Sequence, residues 1–390
     1  MRRPSNVLVT ATAAYVLGLA AQSTLLFFLV PAATRAVGGS DLDGAAFVLT
    51  ALASAVVSVP AGRLADRTAR RPVMRAGHLA VFLGLALLAL APSHGAILAA
   101  TVLGGAGVGA FHVAFMSYVA DVVIARGEKN RLPAAYGATG ALAIAACALA
   151  PFGAAGLVGT ATDPVAGVRI VAGALAAAAL AAALLTCLLP TARLTGSARR
   201  GPLAGSAPHA LLFAAVGFPM GAIGAWSGPH LLDGHGASAA VWGLVLGVAT
   251  AASAPGSVVA GRLARIASPR AVLVASNAAT AVSVALFGLA GGLAEAAVLL
   301  VARHFLAAIA GPAMNALVAD SGAETERAGA IGAAAASWHL AWAGGALAGG
   351  LLMPVFGGAV FVASAIILAG GTWAAVARLP AAAGGAPAPG

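Results

Sequence analysis

Twelve runs of at least about 17 apolar residues, parted by short breaks carrying arginine, proline and glycine, govern what this chain can fold into. They fall at 7–30, 45–61, 73–91, 96–119, 134–153, 168–189, 210–229, 239–260, 271–290, 296–318, 328–352 and 357–377. A run of that length crosses the hydrocarbon core of a bilayer as an α-helix, which satisfies its own backbone hydrogen bonds where no water is present. Apolar residues surround these segments on all sides, as expected where lipid is the outer solvent. The first run is too long for the apolar core of a signal peptide and lacks a convincing cleavage site, so it reads as a retained first helix. With 61% hydrophobic and 8% charged residues and a mean hydropathy of +0.99, the chain has too little polar surface to cover a water-soluble globule. Soluble enzyme, nucleic-acid binder and disordered chain are excluded, and the fold class is an all-α membrane protein.

The net charge of +10 invites the thought of a nucleic-acid partner. Its distribution opposes that, because the basic residues are short arginine clusters between the apolar runs. Arginine and lysine collect on the cytoplasmic side of membrane proteins. With the N-terminus inside, 18 of the 21 basic residues lie inside, from Arg2 and Arg3 through the Arg63–Arg75 and Arg126–Arg131 clusters to Arg378. Only Arg35 and Arg169 lie outside, and Arg303 falls within the tenth run. Both termini are therefore expected in the cytoplasm. The Ala, Gly and Arg bias points to a GC-rich bacterial genome, and so to a bacterial inner membrane. Cys147 and Cys187, both in apolar runs, fit small helix-packing residues better than a disulfide or a metal site.

The longest polar interruption, 190–209, divides the runs six and six. This gives an N-terminal bundle over 1–189, a cytoplasmic central loop, a C-terminal bundle over 210–379 and an expected disordered tail at 380–390. The halves repeat. Gly62-Arg63-Leu64-Ala65 recurs as Gly261-Arg262-Leu263-Ala264, and Val119-Ala120-Asp121 as Val318-Ala319-Asp320, both at an offset of 199 residues. Arg131 and Arg327 follow at 196. Parallel six-helix repeats with a binding site at their interface are an architecture of secondary transporters.

The stretch Gly62-Arg63-Leu64-Ala65-Asp66-Arg67-Thr68-Ala69-Arg70-Arg71 resembles the loop signature G-x-L-A-D-R-x-G-R-R of the major facilitator superfamily, departing from it at Ala69. The twelve spans, the basic central loop and the degenerate second copy extend the resemblance over essentially the whole chain. It implies a conformational latch in which Asp66 pairs with Arg70 and with Asp121 at the end of span four. The same acid would close against the start of span eleven and hold the outward-open state. Gly62 is expected in a tight turn, with Arg67 and Arg71 in the same basic loop. In the second copy Arg265 stands where Asp66 would repeat, while Asp320 keeps the place of Asp121, so a simpler Arg265–Asp320 pair is expected.

No acid lies in the middle of any span, and 101–110 in span four carries no arginine, so coupling by the family's usual acid–base arrangement is not expected. The titratable groups at membrane depth are His112, His304 and His339, each a proton-carrier candidate. His304 shares a helical face with Gly311 and Asn315. Arg303 is the one charge well inside a span; either it snorkels outward or it faces an anionic substrate or a gate. The resemblance implies that spans one, four, seven and ten line a central cavity. Tyr15, Gln22, His112, Phe115, Met220, Trp226, His304 and Asn315 are its candidate wall, joined by Trp338 and His339 of span eleven. A mostly apolar cavity with few hydrogen-bonding groups suits amphipathic organic molecules better than sugars.

The expected activity is alternating-access transport of a small organic molecule, as proton-coupled efflux or, alternatively, as uptake of an organic anion or metabolite. No clustered catalytic set argues for an enzyme and no phosphate-binding glycine loop for ATP-driven transport. No cofactor, metal or nucleic acid is expected. The partners are substrate, protons and the lipid bilayer, with the chain as a monomer.

Overall fold

The computed structural model describes residues 4–38, 42–159, 163–190, 207–321 and 326–379. The 380–390 tail, most of the central loop, and Arg2, Arg3, Asp41 and Glu324 lie outside the described residues. Within them twelve helices are long and apolar enough to cross a membrane, and no strand occurs. They are α1 (Val7–Ala36), α2 (Ala45–Arg67), α3 (Arg70–Leu90), α4 (His94–Ile124), α5 (Leu132–Pro151) and α6 (Pro164–Cys187) in the first half. The second half holds α7 (Ala207–Gly234), α8 (Val241–Leu263), α9 (Pro269–Gly288), α10 (Leu293–Asp320), α11 (Arg327–Phe356) and α12 (Ala359–Arg378).

Local chemistry sets where these helices start. Ser93, Asp163, Ser238 and Ser268 each accept from backbone N–H groups two or three residues on, and Pro164 and Pro269 occupy first-turn positions that need no donor. Gly357, at a φ of 51°, makes the turn between α11 and α12. Leu149, Leu244 and Ile366 stand out from the bundle, as lipid-facing side chains do. A π turn, Leu25–Leu29, interrupts α1, and another, His230–Gly234, ends α7. Such turns insert one residue into the helical ladder and recur at functional sites.

The halves are joined mainly along two seams, α2 with α11 and α5 with α8. Both seams are built on glycine near the end of the bundle that carries the loop signature. A Cβ on Gly62 would strike the carbonyl of Ala328, and one on Gly332 the carbonyl of Ser58. In the other seam Gly137 abuts the carbonyl of Ser257, and Gly261 the backbone of Ala134. Gly62 and Gly261, like Ser58 and Ser257, are 199 residues apart, so the seams are related by the internal repeat. Gly62 itself is not in a turn. Helix α2 continues to Arg67, and this glycine serves the close approach of α11 instead.

Candidate functional site

At the loop-signature end the carboxylate of Asp66 is buried and fully engaged. One oxygen accepts from Nη1 of Arg70 at 2.6 Å and from the backbone N–H of Ala328 at 3.1 Å; the other accepts from the N–H of Gly329 at 2.7 Å. Ala328 and Gly329 open α11, so the acid sits at the positive end of a helix from the opposite half. Arg70 turns its Nε to Asp121 at 3.0 Å, and the other oxygen of Asp121 is taken by Arg327. Arg327 also donates to the carbonyl of Ala319. Two acids and two arginines thus tie α2, α3 and α4 of one half to α10 and α11 of the other. Arg71 caps the end of α6 through the carbonyl of Leu189, and Arg67 is exposed.

Among the described residues, the seam related by the repeat shows no ion pair that crosses it. No ion pair joins Arg265 to Asp320 among the described residues, and both side chains are exposed, which corrects the pairing inferred from the repeat. The reason is local. Asp66 lies on a continuous helix packed against α11, whereas Arg265 falls in the turn that follows α8.

Between the seams lies a cavity of about 500 Å³, lined by α1, α2, α4 and α5 of the first half and α7, α8, α10 and α11 of the second. Among the described residues no aspartate or glutamate lines it. Tyr15, Gln22 and His112 form part of one wall; Met220, His304 and Asn315, with Trp338 and His339, form part of the other. The Tyr15 hydroxyl and His112 Nδ1 share a hydrogen bond of 2.9 Å. Rings rise from the cavity toward the far end of the bundle: Trp338 stacks on Trp342, which meets Phe47 at 4.3 Å, and Phe47 meets Phe27.

Two expected wall residues stand elsewhere. Phe115 is fully buried behind the wall, stacked on Tyr15 at 4.0 Å, where it holds that ring in place. Trp226 lies against Gly349 and Gly350 and donates its indole N–H to the carbonyl of Ala346, so it is a packing residue between α7 and α11. The wall also includes residues the sequence reasoning passed over. Thr50 and Ser54 on α2, Cys147 on α5, and Thr250 and Ser253 on α8 all face the cavity. A signal for some of these was present. Ser54 donates to the carbonyl of Gly105 and Ser253 to that of His304, and both donors and both acceptors are 199 residues apart.

Arg303 does not snorkel. It is 3% exposed and lines the cavity. Nη1 donates to Nε2 of His304 at 3.2 Å, Nη2 reaches the sulfur of Met220, a weak acceptor, and Nε has no partner. Gln22, from the opposite half, has both its amide atoms buried and unpartnered, and Nδ1 of His339 is likewise unmatched. A guanidinium withdrawn from water carries a desolvation cost of several kcal/mol unless an anion answers it. The wall therefore offers one uncompensated positive charge and orphaned polar atoms from both halves. Among the described residues no group of three or more His, Cys, Asp or Glu is placed to hold a metal ion.

The sequence profile of the Major Facilitator Superfamily matches residues 11–212 and again 209–389. No curated protein sequence matches the chain. Among solved structures, the human organic anion transporter MFSD10 (TETRAN) superposes with a TM-score of 0.81 at 18% identity, covering 96% of this chain and 100% of the other. The Escherichia coli fucose:proton symporter FucP superposes at 0.73 with 15% identity, covering 97% and 100%. The two matched segments, the twelve helices in related halves and the cavity between them have one conclusion: the chain belongs to the major facilitator superfamily.

Proposed function

We propose that this protein transports an amphipathic organic anion across a bacterial inner membrane by alternating access, acting as a monomer with both termini in the cytoplasm. Arg303 carries the anion reading. It is a buried cation in the cavity wall for which the described residues supply no acid, and intramembrane charges are retained where a pathway uses them. The otherwise apolar wall and the aromatic side chains above it suit the body of such a molecule. A monomer suffices because both walls come from one chain. The similarity in fold to a protein described as a human organic anion transporter supports this reading.

With arginine-rich loops inside, the seams meet on the cytoplasmic side and the network around Asp66 latches the outward-facing state. The test is uptake of 1-naphthalenesulfonate, a permanently charged monoanion, into liposomes containing the protein. Arg303→Gln should lower the rate at least tenfold and Arg303→Lys should restore part of it. Equal rates for Arg303→Gln and the native protein would end the anion reading.

Export is the second reading, favoured by the lack of any acid along the cavity among the described residues. An anion leaving a cell that is negative inside gains about 2.3 kcal/mol per 100 mV, so export needs no coupling ion.

A further inference from the structure

The two ring nitrogens of His304 have partners that fix its form. Nδ1 lies 2.8 Å from the carbonyl oxygen of Leu300, which can only accept, so Nδ1 carries hydrogen. Nε2 lies 3.2 Å from Nη1 of Arg303, which can only donate, so Nε2 presents its lone pair. The ring is the neutral Nδ1–H tautomer, and its lone pair helps to hold the guanidinium.

A proton arriving at Nε2 occupies that lone pair, ends the bond to Arg303 and leaves two cations side by side. Nothing in the wall can offset them. Among the described residues, the titratable groups around the cavity are Tyr15 from α1, His112 from α4, Cys147 from α5 and His339 from α11; α7 and α8 contribute the neutral Met220, Thr250 and Ser253, and no acid is present. Only an anion brought in from outside can make the doubly charged pair stable. Conversely, an anion that draws Arg303 away from His304 frees the lone pair for a proton.

We propose that His304 is the proton-coupling residue of this transporter, taking a proton at Nε2 together with the anion held by Arg303. The inference rests on the anion reading above and gives it a driving force. The empty site carries one positive charge, on Arg303. Loaded with a monoanion and a proton it still carries one, so both reorientations move the same charge and the cycle is electroneutral. A pH gradient drives it and membrane potential does not. Where the outside is the more acidic, the direction is uptake. Without the proton, the loaded site would be neutral and the empty one positive, and the cycle would follow the potential instead.

The test uses proteoliposomes with the full chain, 1-naphthalenesulfonate outside and pyranine inside to report protons. With acid outside, native protein should accumulate the anion at least tenfold over the no-gradient level, with one proton entering per anion. A potassium diffusion potential should change that by less than twofold. His304→Gln keeps an acceptor for Arg303 but takes no proton. Its transport should lose the response to pH and gain one to potential, with His304→Asn as the second variant. Native transport that follows potential and ignores the pH gradient overturns the proposal, as does a pH response kept in both variants. Should neither variant fold, the native proton count decides alone. Absence of native transport under every gradient, or indifference to Arg303→Gln, defeats the anion reading itself, a different result from transport that is merely uncoupled.

Discussion

Asp121 joins the halves through two arginines of different origin, Arg70 beside the loop signature and Arg327 at the start of α11. Removing one partner of a buried ionic cluster costs about 3–5 kcal/mol, because the charges left behind have no water to turn to. Asp121→Asn is expected to lower the thermal unfolding temperature in detergent and to reduce transport at least tenfold, with Asp121→Glu intermediate. Asp66→Asn is gentler, since the amide oxygen still accepts from one backbone N–H. Charge-assisted bonds contribute about 1.5–3 kcal/mol each, so a ten- to hundredfold loss of the latched state is expected, read from the rate of 1-naphthalenesulfonate uptake. An unchanged rate would remove Asp66 from the transport cycle. At this scale the sequence identified the acids and Arg70 because they sit in a recognisable motif. The resemblance also aimed Asp66 at the start of span eleven, but the individual donors, the N–H groups of Ala328 and Gly329, are backbone groups and leave no trace in residue types.

The twelve helices were legible almost to the residue at their lipid-buried middles, because hydrophobic length is a one-dimensional property. Their ends were not: α2 runs on through the loop signature to Arg67, and α4 to Ile124, since polar ends of membrane helices outlast the apolar run. The interruption of α1 by a π turn was equally invisible, for LLFFL is as apolar as its surroundings. The cavity was legible in part. Family resemblance gave helices α1, α4, α7 and α10, and Trp338 and His339 pointed to α11, but the polar contributions of α2, α5 and α8 come from serine, threonine and cysteine, which in a membrane helix also bond their own backbone and so look structural. The seams suggest an element-level prediction. The α5–α8 seam has close glycine packing and, among the described residues, no ion pair like those around Asp66 is seen across it, so Gly137→Val, which drives a side chain into the carbonyl of Ser257, should open it. Transport should fall at least tenfold while the protein remains folded by circular dichroism. Native-like transport would show that this seam does not need close contact.

The two halves of the molecule repeat their glycine seams and their serine-to-carbonyl bonds, yet differ in charge. The first half holds the latch acids Asp66 and Asp121, and the second holds the cavity cation Arg303. In the proposed cycle, conformational control and substrate charge are thus divided between the two halves. Cys147 reports on that cycle, because it lines the cavity and is a free thiol. In a Cys187→Ser background, an impermeant maleimide should reach Cys147 from the outside in native protein and from the cytoplasmic side after Asp66→Asn. Excess 1-naphthalenesulfonate should slow both reactions, and side-independent labelling would argue against a latched outward state. Arg303 also leaves its mark before the molecule ever moves a substrate. An arginine near a helix centre opposes translocon insertion by roughly 3 kcal/mol, while each flanking leucine or valine returns only about half a kcal/mol. Helix α10 must therefore enter the bilayer carrying its charge before the finished cavity can shelter it. Arg303→Leu should accordingly be made in greater amount while transporting nothing, so that a screen for yield alone would select the transporter out of its own sequence.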